Sequence, residues 1–215
     1  MATLIVTNSR DYRNSALSDI TGIRFDDPSS PFDSRQTATF APGQFDDVQI
    51  SSTVLFSADE SDIKENWIVV DWSAAAATGF SAAGWTFENF VFFQVWLKGS
   101  DGADIIAGSS RSDFITGGGG ADILGGGGGH DVFIYGSPSH LVAGESVNGG
   151  SGNDTLDLAV GNFDFSGVTL NSIEMISMDG ATATFTGDQF AGITEVRGDA
   201  PGWFGACGTP PASSR

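Results

Sequence analysis

The sequence predicts an all-β protein, a parallel solenoid of short stacked strands with β-strand segments on both sides. Three observations predict it. Aspartates recur every nine residues at Asp104, Asp113, Asp122 and Asp131, each followed two residues later by Ile106, Ile115, Leu124 or Phe133. The flanks are rich in β-branched and aromatic residues punctuated by Gly, Ser and Asn, the pattern of strands and turns. Helical periodicity is weak throughout.

Residues 1–97 read as a β-rich amino-terminal segment, solenoid-like or capping. Its strongest strand signals are NWIVVDWS at 66–73 and WTFENFVFFQVWL at 85–97. In the second, Trp85, Phe87, Val91, Phe93, Val95 and Leu97 share one face, and Phe90, Phe92 and Trp96 make the other apolar too. That pattern suits a strand buried on both sides. An internal echo joins the flanks: TATFAPGQFDDV at 37–48 aligns with TATFTGDQFAGI at 182–193, and LSDITGIRFD from Leu17 resembles LNSIEMISMD from Leu170. Repeated strand-turn units of this kind build solenoids.

Residues 98–160 carry the repeat G-G-x-G-x-D-x-U-x, where U is large and apolar. Copies start at Gly99, Gly108, Gly117 and Gly126, and a further copy starts at Gly149 after a five-residue break in the period. Each unit reads as a six-residue turn and a three-residue strand. Two units make one coil, and strands stack at about 4.8 Å. Asp104 therefore lies over Asp122, and Asp113 over Asp131. Stacked carboxylates at that spacing repel by a few kcal/mol at an effective dielectric of ~20, and a divalent cation reverses the sign. The donors on offer are carboxylate and carbonyl oxygens in a flexible shell, which favours Ca²⁺ over Zn²⁺ or Mg²⁺. The glycines allow left-handed turns that expose carbonyls. They also make the metal-free chain costly to order, so binding and folding become one event.

These units resemble the RTX, or hemolysin-type, calcium-binding repeats of secreted bacterial proteins, which build a parallel β-roll. DVFIYG at 131–136 is similar to that family's exit from the roll. The resemblance implies three ligand sets of carbonyls and carboxylates. One joins Gly99, Asp101 and Asp104 to Gly118, Gly120 and Asp122. A second joins Gly108, Ser110 and Asp113 to Gly127, Gly129 and Asp131. A third, if the five extra residues before Gly149 bulge out, joins Gly126, Gly128 and Asp131 to Gly150, Gly152 and Asp154. Two departures stand out. Arg111 replaces a fourth-position glycine, which predicts strain or a weak site. His140 falls one coil after Asp122, which predicts that this edge ends there. The position-seven residues Ile105, Phe114, Ile123 and Val132 face outward, and the reading favoured is packing against flanking segments over an assembly surface.

Charge and motif content exclude other classes. The chain has 27 acidic against 9 basic residues, a net charge of −18, which opposes nucleic acid and anionic membranes. Cys207 stands alone, so there is no disulfide framework. The amino terminus lacks a secretory h-region, and no apolar run is long enough to span a membrane. No H-E-x-x-H or G-x-S-x-G occurs; GESVN at 144–148 lacks the second glycine. His130 reads as an exposed turn residue and His140 as a loop residue beside Ser137 and Ser139. Carboxylates such as Asp46, Asp47, Asp71 and Glu88 show no pairing. No catalytic residue is assigned.

Residues 161–197 read as a β-solenoid-like extension and 198–215 as a flexible tail. The expected function is a secreted calcium-binding module, with Ca²⁺ as cofactor, that folds outside the cell. Self-association stays open. The resemblance also implies type I secretion through a carboxy-terminal signal, which the tail with Pro201, Pro210 and Pro211 does not resemble. The alternative is a non-catalytic piece of a larger secreted RTX enzyme, toxin or adhesin.

Overall fold

The computed structural model describes residues 2–6, 10–12, 15, 20–25, 36–40, 55–58, 66–71, 73, 79–88, 93–178 and 180–198. Along the chain the strands are β1 (Ala2–Val6), β2 (Arg10–Asp11), β3 (Ile20–Phe25), β4 (Gln36–Phe40), β5 (Leu55–Ala58), β6 (Asn66–Asp71), β7 (Gly79–Ser81), β8 (Thr86–Glu88), β9 (Phe93–Lys98) and β10 (Ile105–Ala107). They continue as β11 (Asp113–Thr116), β12 (Ile123–Gly128), β13 (Val132–Tyr135), β14 (Ser146–Ser151), β15 (Thr155–Leu158), β16 (Gly161–Asp164), β17 (Thr169–Asn171), β18 (Met175–Met178), β19 (Ala181–Thr184) and β20 (Glu195–Gly198). Short 3-10 turns cover Pro138–His140 and Phe165–Gly167, and α1 spans Gly187–Phe190.

Among the described residues all the strand pairings are parallel, as a coiling chain requires. One nine-stranded ladder runs β2-β4-β6-β9-β11-β13-β15-β18-β20. Facing it in the repeat region is the five-stranded ladder β7-β10-β12-β14-β17. A four-stranded ladder, β1-β3-β5-β8, belongs to the amino-terminal part, and β16 pairs with β19. The molecule is thus an all-β parallel solenoid, a β-roll in its central part.

Two apolar columns fill the space between the ladders. Phe40, Val70, Leu97, Ile115, Phe133, Leu156 and Ile176 lie in register on the nine-stranded ladder and are all buried. Phe80, Ile106, Leu124 and Val147 do the same on the other ladder. In the three-residue strands β7 and β10 only the middle side chain is buried, whereas the longer strands β6, β9, β13 and β15 each bury at least two large residues. At about 25 cal/mol per Å² of apolar surface removed from water, each such residue stabilises by roughly 1.5–3 kcal/mol.

The run at 85–97 is not one strand. It holds β8 on the four-stranded ladder and β9 on the nine-stranded one, because a solenoid strand ends where the chain must turn a corner. Val95 and Leu97 are buried, while Trp96 faces out, near Phe114 at 6.3 Å with the Lys98 ammonium 4.0 Å from its ring centroid. The echoed Thr-Ala-Thr-Phe also occupies different ladders. Its first copy lies in β4, and in the second copy Thr182–Thr184 belong to β19. Ile105 and Ile123 stand side by side, 60% and 53% exposed, so none of the described flanking segments packs over them as expected.

Candidate metal centre

The centre is built from the turns that feed each ladder. On one edge lie the turn 99–104, the turn 117–122 and the loop 136–145. On the other lie the turns 108–113, 126–131 and 149–154, then Glu174. Coil length varies between them. Eighteen residues separate Phe114 from its neighbour Val132, twenty-three separate Val132 from Thr155, and twenty separate Thr155 from Met175.

Every repeat aspartate is buried: Asp104, Asp113, Asp122, Asp131 and Asp154. Asp122, Asp131 and Asp154 each accept one hydrogen bond from the coil before them. The main-chain N–H of Asp104 donates to Asp122 Oδ1, that of Asp113 to Asp131 Oδ1, and that of Asp131 to Asp154 Oδ1, each at 2.8 Å. Asp154 N–H donates in turn to Glu174 Oε2 at 2.8 Å. The stacked carboxylates are thus aligned by main-chain donors along both edges.

Their second oxygens fall into two groups. Asp104 Oδ2 accepts from Ser100 N–H at 2.7 Å and from its hydroxyl at 2.9 Å. Asp113 Oδ2 accepts from Ser109 N–H at 2.6 Å, and the Ser109 hydroxyl donates to Asp113 Oδ1 at 3.1 Å. By contrast, Asp122 Oδ2, Asp131 Oδ2 and Asp154 Oδ2 are buried with no hydrogen-bond partner. A buried carboxylate oxygen without a donor is costly unless something positive meets it.

The backbone divides the same way. Gly118, Gly120, Gly127, Gly129, Gly150 and Gly152 are left-handed, with φ between 97° and 147°. These are the second and fourth positions of the three turns whose aspartates have the orphaned oxygens. A Cβ on the leading glycine of these turns would fill the space beside that oxygen, lying 2.1 Å from Asp122 Oδ2 at Gly117, 2.1 Å from Asp131 Oδ2 at Gly126, and 2.4 Å from Asp154 Oδ2 at Gly149. The turn holding Arg111 has no left-handed residue. Its Arg111 N–H is instead tied to Ser109 Oγ at 3.0 Å, so the arginine brings none of the backbone strain expected of it.

Burial also shifts the carboxyls in both kinds of turn. Burial pushes the Asp122 carboxyl up to about 6, Asp113 to about 7 and Asp131 to about 8, and it raises Asp154 too. Hydrogen bonds from main-chain N–H groups oppose this. Neighbouring carboxylates add to it, Asp104 for Asp122 and both Asp113 and Asp154 for Asp131. A positive partner beside these groups would favour their charged form against burial.

Two acids stand at stacking positions that the motif does not mark. Register puts Glu145, not His140, one coil after Asp122. Ile123 pairs with Ser146, and Ser146 N–H reaches Asp122 O at 2.8 Å. The five extra residues swing out around the 3-10 turn Pro138–His140, so the strand resumes later than a constant period implies. The same outswing lets Asp131 and Asp154 meet. Glu174 is the second acid, and Ser100 and Ser109 are further residues the motif passed over. Their signal was present: Ser in place of the second Gly in the first two units, and an acid just before β14.

The other candidates gather no chemistry. His130 is exposed, its Nδ1 accepting from Asn153 N–H at 2.9 Å. His140 Nδ1 is buried with no hydrogen-bond partner, so no serine engages it there. Asp46, Asp47, the Glu88 side chain and Cys207 lie outside the described residues. Among the described residues no cluster of three or more His, Cys, Asp or Glu side chains forms a metal centre. The donor set is aspartate oxygens and turn carbonyls only, which fits a hard cation and not zinc.

Fold and site together define a parallel β-roll with oxygen-lined turns. Residues 98–133 and 145–162 match the RTX calcium-binding nonapeptide repeat in four copies. The chain therefore carries RTX repeats, and calcium is the ion such repeats bind. No curated protein and no solved structure matches the chain. Among the described residues no helix is long and apolar enough to cross a membrane.

Proposed function

We propose that this chain is a secreted calcium-binding module whose roll condenses on Ca²⁺ outside the cell. The sites proposed are three. Gly99, Asp101 and Asp104 face Gly118, Gly120 and Asp122; Gly108, Ser110 and Asp113 face Gly127, Gly129 and Asp131; Gly126, Gly128 and Asp131 face Gly150, Gly152 and Asp154. One observation carries the reading: there is one orphaned, buried aspartate oxygen per proposed site, each in a turn whose second and fourth glycines are left-handed. Ca²⁺ supplies positive charge and a wide, flexible oxygen shell when bound. The chain's part is to hold the aspartates in line through the inter-coil N–H donors and to keep space beside each orphaned oxygen with glycine.

Extracellular modules bind Ca²⁺ at about 10⁻⁴–10⁻³ M. At such affinity the acidic, glycine-rich turns stay open at resting cytosolic calcium and close outside. Circular dichroism across a calcium titration tests this. The expected result is a cooperative gain of β signal near millimolar calcium, moved to higher calcium by Asp122→Ala or Asp131→Ala. A chain that folds fully in chelator, or below micromolar calcium, refutes the reading.

A further inference from the structure

A column of cations ends where a carboxylate's oxygens are already taken. Glu145 occupies the place above Asp122 that an aspartate occupies elsewhere, and it is 1% exposed. Its surroundings nevertheless differ from those of Asp122, Asp131 and Asp154. Oε1 accepts from the Tyr135 hydroxyl at 2.5 Å, and Oε2 accepts from Val142 N–H at 3.3 Å. Ahead of it the chain makes a tight turn, Glu145 N–H to Val142 O at 3.2 Å, with Gly144 left-handed at φ 95°. No pair of left-handed glycines at the second and fourth positions precedes it. Tyr135 is itself fixed, its ring edge-on to Phe163 at 6.4 Å and to Phe165 at 5.7 Å.

We propose that Glu145, held by Tyr135 and Val142, is a positioning residue that closes this edge of the array: it fills a ligand's place without being a ligand, and it limits the edge to the single cation between the Asp104 and Asp122 turns. The proposal rests on the three-site reading above. Both oxygens of Glu145 already have donors within the fold, whereas each proposed site has an aspartate oxygen with none. The opposite edge continues one site further, through Asp113, Asp131 and Asp154, before Glu174 receives the last N–H. The array is lopsided, one cation on one edge and two on the other.

Counting Ca²⁺ per full-length chain at saturating calcium, by native mass spectrometry and equilibrium dialysis, tests this. The variants are Asp122→Asn and Glu145→Gln; glutamine keeps an acceptor for the Tyr135 hydroxyl. The expected counts are three for the parent chain, two for Asp122→Asn and three for Glu145→Gln. If Glu145→Gln loses an ion that the parent chain holds, Glu145 is a ligand and the proposal is overturned while the three-site reading stands. If Asp122→Asn keeps the parent count, the three-site reading fails and the proposal falls with it. Should Glu145→Gln not fold, the double variant Tyr135→Phe/Glu145→Leu replaces both partners by apolar groups of similar shape, and it too must hold three.

Discussion

The turns at 99–104 and 108–113 differ from those at 117–122, 126–131 and 149–154 in how they satisfy the same aspartate. In the first pair a serine at the second position donates its N–H and hydroxyl to the carboxylate, and no residue is left-handed. In the others that serine is a left-handed glycine and one aspartate oxygen has no partner. A serine turn meets its aspartate with its own donors, whereas a glycine turn leaves one oxygen open, as the proposed cation site requires. The difference teaches which turns already meet their aspartate's needs from within and which leave an oxygen for a cation.

The largest effect that can break this comparison is removal of the ion. A ligand at 100 times its Kd stabilises by about 2.7 kcal/mol per site, so three sites approach the whole stability of an ordinary domain, about 5–15 kcal/mol. Chelator should therefore abolish protection from hydrogen exchange in the glycine turns. Acid should partly restore it. Carboxyls raised by burial keep their protons longer in the fold than in the open chain, so the metal-free fold is favoured most below about pH 4. It loses that advantage as pH rises through about 6 for Asp122, 7 for Asp113 and 8 for Asp131. A metal-free melting temperature that climbs over this range contradicts the assignment.

Next in size is the contrast between Asp131→Ala and Asp122→Ala. Asp131 faces two proposed sites and Asp122 one, so calorimetry should find two ions lost from the first variant and one from the second. Gly127→Ala follows. Gly127 has φ 97°, and an added Cβ would lie 2.2 Å from Ser109 O. The left-handed backbone alone costs about 1–2 kcal/mol, and the overlap adds to it. Gly136→Ala, with nothing within 4 Å of the new methyl, should leave the calcium midpoint unmoved. The smallest effect is Ser109→Ala. It should destabilise by about 1 kcal/mol through loss of the hydroxyl bonds, and by the same amount in calcium and in chelator. A loss seen only in calcium would erase the distinction between the two kinds of turn.

The nine-residue period made the coil, the inward residues and the aspartate stacking legible in the sequence, because period-two strands and glycine turns leave little choice of register. Coil length was not legible after Tyr135. A constant period puts His140 above Asp122, but burial of Val147 opposite Leu124 and the Ser146 N–H on Asp122 set a longer coil and bring Glu145 there. The part played by Ser100 and Ser109 was only half legible. The motif records which position has lost its glycine; only the folded turn shows that the replacement donates to the aspartate. The run at 85–97 misled because residues of one apolar face fall in two strands on separate ladders, Phe87 in β8 and Val95 and Leu97 in β9.

The outswing at Pro138–His140 has a practical consequence. Five residues were accommodated at one corner while Val132 still pairs with Thr155 and Ile123 with Ser146. Pro138 and Ser139 are exposed at its tip. A corner that absorbs extra chain without disturbing either ladder is a natural graft point, where a tag or epitope can be displayed on a calcium-set scaffold.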